Sequence, residues 1–475
     1  MRVLGVTYLI AFLSFGVQIL GLIGKNGILP LQDLLQAASA QLGPERYWAF
    51  PTLFWFNASD RVLQFLPVAG AVLSMALIGG FAQVPALFLL WLFYLSLVTS
   101  GQDFMAFQWD NLLLETGFLA IFLAPLGILP ASDRNSSPPK FTVWLCRWLL
   151  FRLMFSSGVV KLASGDETWR ALTALNFHYE TQPLPTQLAW YFHQAPAWFQ
   201  KFSVLVTFLV ELGFPFLIFG PRLVRLFACG ALVSFQLLIA LTGNYCFFNL
   251  LAIALCLFLI EDADWPGRGC GQAAEIPVAD SRGMRRWPIW VIAPIAGLIL
   301  MVSGMQMVRL FRVRVNWFPP FVGLYQVVAP FRTVNSYGLF AVMTTARSEI
   351  VIEGSKDGVA WLAYEFKWKP GDLKRRPRFV APHQPRLDWQ MWFAVLGNYR
   401  ENPWFMNFLV RLLEGSTDVL SLMKSNPFPE SPPRFIRAVV YDYHFTDPAT
   451  RRSHGTWWRR EKRGLYCPVA SLREA

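Results

Sequence analysis

Residues 107–127 read "FQWDNLLLETGFLAIFLAPLG". From Leu112 onward this is the composition of a membrane helix, yet two carboxylates, Asp110 and Glu115, stand in its first part. A charge at the centre of a membrane helix costs roughly 2.5–3.5 kcal/mol on insertion scales. Each acid therefore needs a partner, and the source of those partners decides how the chain folds.

The surrounding composition is that of a membrane protein. The 475 residues are 55% hydrophobic and include 20 Trp, with a mean hydropathy of +0.39. Soluble domains are rarely so apolar, so several membrane spans are expected. Charge is distributed unevenly. Residues 1–311 carry 18 Lys and Arg against 16 Asp and Glu; residues 312–475 carry 24 against 14. The second part is therefore basic and extramembrane, suited to anionic headgroups or an acidic partner. No nucleic-acid recognition motif accompanies the charge. The six cysteines form no CxxC pair and no Cys/His cluster with metal spacing, which argues against a zinc site and a thioredoxin-like redox role. They read as small buried hydrophobes. No cofactor and no metal are expected.

A span needs about 20 mostly apolar residues. Nine windows qualify or nearly so: 3–24, 62–80, 83–101, 107–127, 142–163, 202–219, 223–242, 246–260 and 288–310. Loop charge orients them. Arg2, Arg134, Lys140, Arg222, Arg225, Arg268, Arg282, Arg285 and Arg286 fall on one side. Lys25, Arg46, Arg61, Arg170 and Lys201 fall on the other. The richer side is cytoplasmic by the positive-inside rule. Residues 312–475 are then lumenal or periplasmic, as are the long aromatic loops 25–61 and 164–201. Those loops are expected to fold back as short helices or to line a cavity. Of two sequons, Asn57-Ala58-Ser59 lies outside and Asn135-Ser136-Ser137 inside. Residues 261–286, rich in Gly, Asp and Arg, read as a flexible connector.

Beyond residue 311 the period changes. "YGLFAVMTT" (337–345), "SEIVIEGSKDGVAWLAYEF" (348–366) and "RFIRAVVYDYHFTD" (434–447) read as strands, with a turn at 355–358. Residues 388–396 and 403–413 read as helices, the second opened by Pro403. The expected fold is a multi-span α-helical membrane domain, 1–311, followed by an α+β domain, 312–475: a sheet or sandwich with a helical insertion.

Depth suggests partners for the two acids. At about 1.5 Å per residue, Glu115 and Arg152 lie roughly 18 and 15 Å above the inner ends of neighbouring helices. Asp110 and Lys161 lie about 25 and 28 Å up. The expectation is a ladder of two ion pairs, Glu115–Arg152 and Asp110–Lys161. Such a ladder either locks two helices together or lines a polar cavity. Glu211 and Gln236, mid-helix, extend the polar seam. His178 and His193 lie in the outer loop among aromatics. His178, with Tyr179 and Glu180 beside it, is a candidate acid/base group, but a loop histidine with a structural role is the stronger reading. "RRSHGTWWRREKRG" (451–464) is a basic run with paired Trp.

Five blocks carry a family resemblance: "FQWDNLLLETGFLA", "GNYCFFNLL", "YEFKWKPGDLKRRPRFVAPHQPRLDWQMWFA", "NPWFMNFLVRLLEGSTDVLSLMKSNPFP" and "PPRFIRAVVYDYHFTD". Together they resemble the lipase maturation factor family over most of the chain. The resemblance implies a multi-pass membrane protein, of the endoplasmic reticulum in eukaryotes and the inner membrane in a bacterium. It implies a non-enzymatic folding factor whose C-terminal domain contacts a client, a secreted lipase. Exposed aromatics with nearby arginines are the usual anchors of such contacts; the candidates are Trp389, Trp392, Tyr399 and Trp404, with Arg375, Arg376, Arg378 and Arg386. A shorter block, "FSSGVVKLASGDETW" (155–169), resembles the membrane domain of vitamin K-dependent gamma-carboxylase around its catalytic lysine. It implies the alternative of a membrane enzyme acting on a lipid-soluble cofactor or peptide, with Lys161 as base and His178 and Glu211 nearby. The expected pairing of Lys161 with Asp110 argues against a neutral base, since an adjacent anion favours the charged ammonium. Carrying its own ion pairs, the membrane part is expected to insert without residues 312–475.

Overall fold

The computed structural model describes residues 1–128, 138–261, 264 and 287–472. Each of the nine apolar windows contains helix. Among the described residues, six helices are long and apolar enough to cross a membrane: Asp60–Gly79, Gln83–Ser100, Lys140–Ala163, Ala197–Leu217, Arg222–Thr242 and Ile289–Leu310. Arg2–Gly16 and Phe248–Leu259 are shorter apolar helices, and the opening stretch forms the helix Gln108–Leu123. The first window breaks before Ile19. There Gln18 turns inward and donates to the carbonyls of Ser14 and Gln384, at 2.6 and 2.8 Å.

Burial sorts inner helices from outer ones. The most apolar window of Lys140–Ala163 is 67% buried, while those of Ala197–Leu217 and Arg222–Thr242 are each 28% buried. The first is the centre of the bundle. The other two turn Leu205, Leu209, Phe227 and Leu237 outward, a face suited to hydrocarbon rather than to water. Ala197–Leu217 is not a uniform helix. Its residues Leu209–Gly213 form a π-turn before helix resumes at Phe214–Leu217. Pro215 has no N–H to give to the carbonyl four residues back, that of Glu211, so the regular ladder cannot run through it.

The second part is α+β. Strands β1 (Arg347–Ser355), β2 (Leu362–Ala363), β5 (Phe435–Phe445) and β6 (Trp458–Ala470) make an antiparallel sheet in the order β2-β1-β5-β6. β3 (Glu365–Phe366) and β4 (Met423–Ser425) pair separately. In the main sheet Ile350 faces Val440, and Phe445 faces Trp458. The expected turn follows β1: Gly358 takes φ +78° and its N–H donates to Ser355 Oγ at 2.9 Å. Helices Arg386–Ala394 and Pro403–Leu413 lie between β3 and β4 in sequence.

Residues 337–345 are not a strand. Their polar groups are taken by the membrane helices and the loop after them. Gly338 N–H donates to Gln108 Oε1 at 2.9 Å and its carbonyl accepts from Gln108 Nε2 at 3.0 Å. The Phe340 carbonyl accepts from Trp169 Nε1 at 3.0 Å, and Met343 N–H donates to Asp166 at 2.9 Å. The apolar alternation of "YGLFAVMTT" reflects docking on helix ends, not pairing in a sheet. The outer loops 25–61 and 164–201 hold short helices, among them Leu31–Leu42, Ala174–Thr181 and Gln187–His193. Cys146, Cys229, Cys246, Cys256 and Cys467 are buried. Cys270, the sequon at Asn135 and nearly all of the connector lie outside the described residues.

One apolar cluster runs through both parts, joining Tyr8 and Leu113 to Trp389, Phe408 and Ile436. Trp389 is 4% exposed and Trp404 2%. Trp389 meets the rings of Phe107, Trp109 and Tyr245, and Trp404 meets Phe104. Both are therefore core residues between the membrane helices and the α+β part, a correction to their reading as exposed client anchors. Trp389→Ala should destabilise the protein by about 3–5 kcal/mol, read as a lower thermal transition in detergent. An unchanged transition would remove Trp389 from the core.

Candidate functional site

The partners of the opening carboxylates come largely from the distant half of the chain. Arg386 grips Asp110 with both terminal nitrogens, Nη1 to Oδ2 at 2.6 Å and Nη2 to Oδ1 at 2.8 Å. Tyr94 Oη donates to the same carboxylate. Asp110 is 0% and Arg386 1% exposed. A planar guanidinium fits a carboxylate in this two-bond way, and a lysine cannot. Glu115 pairs with Arg152. It also accepts from Asn335 N–H at 2.8 Å and from Tyr337 Oη at 2.7 Å. Arg152 in turn donates to the Asn335 carbonyl at 3.1 Å.

The expected pair Asp110–Lys161 does not form, and Arg386 is not a client contact. Lys161 Nζ donates to Glu211 Oε1 and Oε2 at 2.9 and 2.8 Å. Depth matching missed this because it ignores azimuth. Arg152 and Lys161 are nine residues apart, about two and a half turns of helix, so they face opposite sides. One neighbouring helix cannot supply acids to both. That signal lay in the sequence. The choice of Arg386, 276 residues from Asp110, did not.

The Lys161–Glu211 pair sits on the wall of a cavity of about 330 Å³ that His178, Gln236 and Tyr245 also line. Glu211 lies in the π-turn. Opposite it stands Gly158, where an added Cβ would fall 2.6 Å from Leu212 Cδ2 and 3.1 Å from Glu211 Cβ. Bare backbone at Gly158 thus lets the widened turn carry its acid up to Lys161. Gln236 Oε1 accepts from Asn249 Nδ2 at 2.8 Å. His178 Nε2 stands 3.4 Å from Tyr245 Oη. Burial, then the Lys161 charge, push the His178 pKa down to about 4. The structure therefore brings Lys161, His178 and Glu211 together. It also commits all three Lys161 hydrogens, since the Ser157 carbonyl takes the third at 3.1 Å. A lysine so engaged is not a free base, and the carboxylase-like alternative gains no support from it. Among the described residues no cluster of His, Cys, Asp and Glu is arranged to hold a metal.

The remaining expected residues are scattered. His193 lies 3.7 Å from Glu180, a buried acid that also accepts from Phe445 N–H at 2.6 Å and approaches His444 Nδ1 at 3.1 Å. Trp392 is half-buried and donates Nε1 to the Thr181 carbonyl at 2.8 Å. Arg375 is half-buried against the Phe366 carbonyl at 2.7 Å. Tyr399 is half-buried; Arg376 and Arg378 are exposed. Sequence reasoning overlooked Arg347. It is 1% exposed, pairs with Glu349 at 2.7 Å, and donates to the carbonyls of Glu180, Gln182 and Pro183, a cation at and just past the C-terminal end of the Ala174–Thr181 helix.

Comparison with known proteins decides the family. Residues 1–266 match the lipase maturation factor transmembrane domain, and residues 333–468 match the lipase maturation factor C-terminal domain. Lipase maturation factor 2 of Gallus gallus is 38% identical over 99% of this chain and 80% of its own length. The chain belongs to the lipase maturation factor family. Lipase maturation factor 2 of Homo sapiens is 36% identical, over 98% of this chain and 81% of its length. Lipase maturation factor 1 of Bos taurus is 36% identical over the whole chain and 88% of its length. No solved structure matches. As a member of this family with six span-length apolar helices among its described residues, the protein is an integral, multi-pass membrane protein with a C-terminal α+β region.

Two predictions follow from the geometry. Arg386→Gln, which leaves Asp110 buried without its cation, should cost about 3–5 kcal/mol. Adding Asp110→Asn to it should recover most of the loss. A double variant no better than the single would show that the two side chains do not pair. The second concerns pH. His178 and His383 both have pKa values pushed down to about 4 from 6.5, chiefly by burial. Between those values the unfolded chain binds more protons than the folded one. Stability is therefore full above pH 6.5 and falls as pH drops toward 4. His178→Gln should flatten that slope in thermal transitions measured from pH 7 to 4.5; an unaltered slope would contradict a buried neutral His178.

Proposed function

We propose that this protein is a membrane-anchored maturation factor that assists the folding and assembly of exported clients, secreted lipases first among them. The observation that carries this reading is similarity across essentially the whole chain to proteins named lipase maturation factors 1 and 2, with both family domains in order. The side-chain geometry supports a role without chemistry, because the buried charges Asp110, Glu115, Arg152, Lys161, Glu211 and Arg386 are each engaged in an ion pair. The protein sits in the endoplasmic reticulum of a eukaryote or the inner membrane of a bacterium, with residues 312–475 on the lumenal or periplasmic side.

With Trp389, Trp404 and Arg386 spent inside the molecule, the client surface is assigned to the outer edge of the sheet. β6 ends the order β2-β1-β5-β6. Beyond Trp458, whose N–H donates to the Leu373 carbonyl at 3.2 Å, this edge strand can take an added strand, and Arg459, Lys462, Leu465 and Val469 are exposed on it. Basic and apolar side chains on one open strand suit an extended acidic and apolar segment of a folding client.

The test is secretion of active enzyme. A secreted lipase co-expressed with this protein, in cells lacking other family members, should reach the medium with severalfold higher specific activity than with an empty vector. Arg459→Glu with Lys462→Glu should remove most of that gain while leaving the factor's own amount and thermal transition unchanged. No gain from the native protein would end the lipase reading; an intact gain from the variant would move the surface elsewhere. Engineered cysteines at Lys356 and Lys424, both exposed, should react with an impermeant reagent only from the lumenal or periplasmic side.

A further inference from the structure

The cavity beside Lys161 and Glu211 is not used by the maturation reading. Its walls are mostly aromatic and aliphatic, including Phe192, Phe199, Phe235 and Phe340. Phe202 and Leu238 line it while being 57% and 52% exposed. They belong to the Ala197–Leu217 and Arg222–Thr242 helices, the two outer spans. The mouth therefore opens between these helices onto the face that meets lipid, and a ligand enters from the bilayer.

The polar floor restricts the headgroup. Lys161 has given its three hydrogens to Glu211 and Ser157. The hydroxyls of Ser157, Ser203 and Thr207 donate to carbonyls of their own helices. Tyr245 donates to Gln182 at 2.8 Å, and Trp169 to the Phe340 carbonyl. What remains on offer is the Glu211 carboxylate as acceptor, with the Tyr179 hydroxyl and the second Gln236 Nε2 hydrogen as donors, a set matched by hydroxyls, which both donate and accept. The ion pair has no net charge, so nothing on the floor calls for an anionic or a cationic head. A ligand that satisfies it brings its own hydroxyls. At about 330 Å³, the space lies at the low end of the roughly 300–1,000 Å³ of small-molecule sites, which favours one chain over two.

We propose that this cavity binds a neutral, hydroxyl-headed, single-chain lipid of the monoacylglycerol class, its chain among the aromatics and its hydroxyls on Glu211. The proposal is independent of the client reading, since none of the cavity's lining residues lies on β6.

The probe is a monooleoylglycerol with a diazirine in its chain, added to the full-length protein in phosphatidylcholine nanodiscs. Photolabelling should fall on peptides containing Phe199–Glu211 or Phe235–Tyr245. Unlabelled monoolein should compete, and methyl oleate, which has the chain without hydroxyls, should compete about tenfold less well, the worth of one hydrogen bond to a charged acceptor. Leu238→Trp, which adds bulk at the mouth, should abolish labelling. Lys161→Met with Glu211→Met should remove the preference for monoolein over methyl oleate. Labelling scattered over the lipid-facing helices, equal competition by methyl oleate, or undiminished labelling of Leu238→Trp would each overturn the proposal. If the paired variant fails to fold, the native competition and Leu238→Trp decide it.

Discussion

The contact between Asp110 and Arg386 ties the two parts of this protein into one fold. A carboxylate on a membrane helix demands a cation, and the chain supplies it from a helix of the α+β part. The same arrangement holds Glu115, whose second oxygen is taken by Asn335 and Tyr337 beyond the last membrane helix. The segment after residue 332 thus completes the polar interior of the helical bundle. Other contacts run the same way. Asn244 Oδ1 accepts from the N–H groups of Val380 and Ala381 at 2.7 and 3.0 Å, and Ser14 Oγ meets His383 Nδ1 at 2.9 Å. Gln18 accepts from Arg386 N–H at 2.9 Å.

This arrangement changes what the extramembrane residues are for. Tryptophans at 389 and 404 resemble binding anchors in sequence because large aromatics near arginines suit any dense interface. Here the dense interface is internal. The exposed surface of β6 mixes basic side chains with Leu465 and Val469, while the outer helices and the cavity mouth expose apolar side chains such as Leu205, Phe202 and Leu238.

Much of this was legible in the sequence, and the failures have physical reasons. Hydropathy located the helices because about 20 apolar residues have few other uses. Strand alternation located β1 and β5, and Pro403 marked a helix start. Residues 337–345 failed because an extended strap packed on helix ends alternates as a strand does. Asp110 was recognised as needing a cation, and depth on the neighbouring helix offered Lys161. The half-turn offset between Arg152 and Lys161 argued against a single seam. Glu211 was named in the polar seam but not matched to Lys161, because its approach depends on the π-turn Leu209–Gly213 ahead of Pro215 and on Gly158. Arg386 was named for the wrong contact, since nothing local to it states that it faces a membrane carboxylate.

The most direct test of a completed bundle is the stability of the membrane part alone. A chain ending at residue 332 lacks Asn335, Tyr337 and Arg386, and is compared with the full chain by thermal transition in detergent. The account predicts a strongly lowered transition that is partly restored by Asp110→Asn with Glu115→Gln, because these changes remove the charges left uncovered. A truncated chain as stable as the full one, or one that the two amide substitutions do not help, would contradict it.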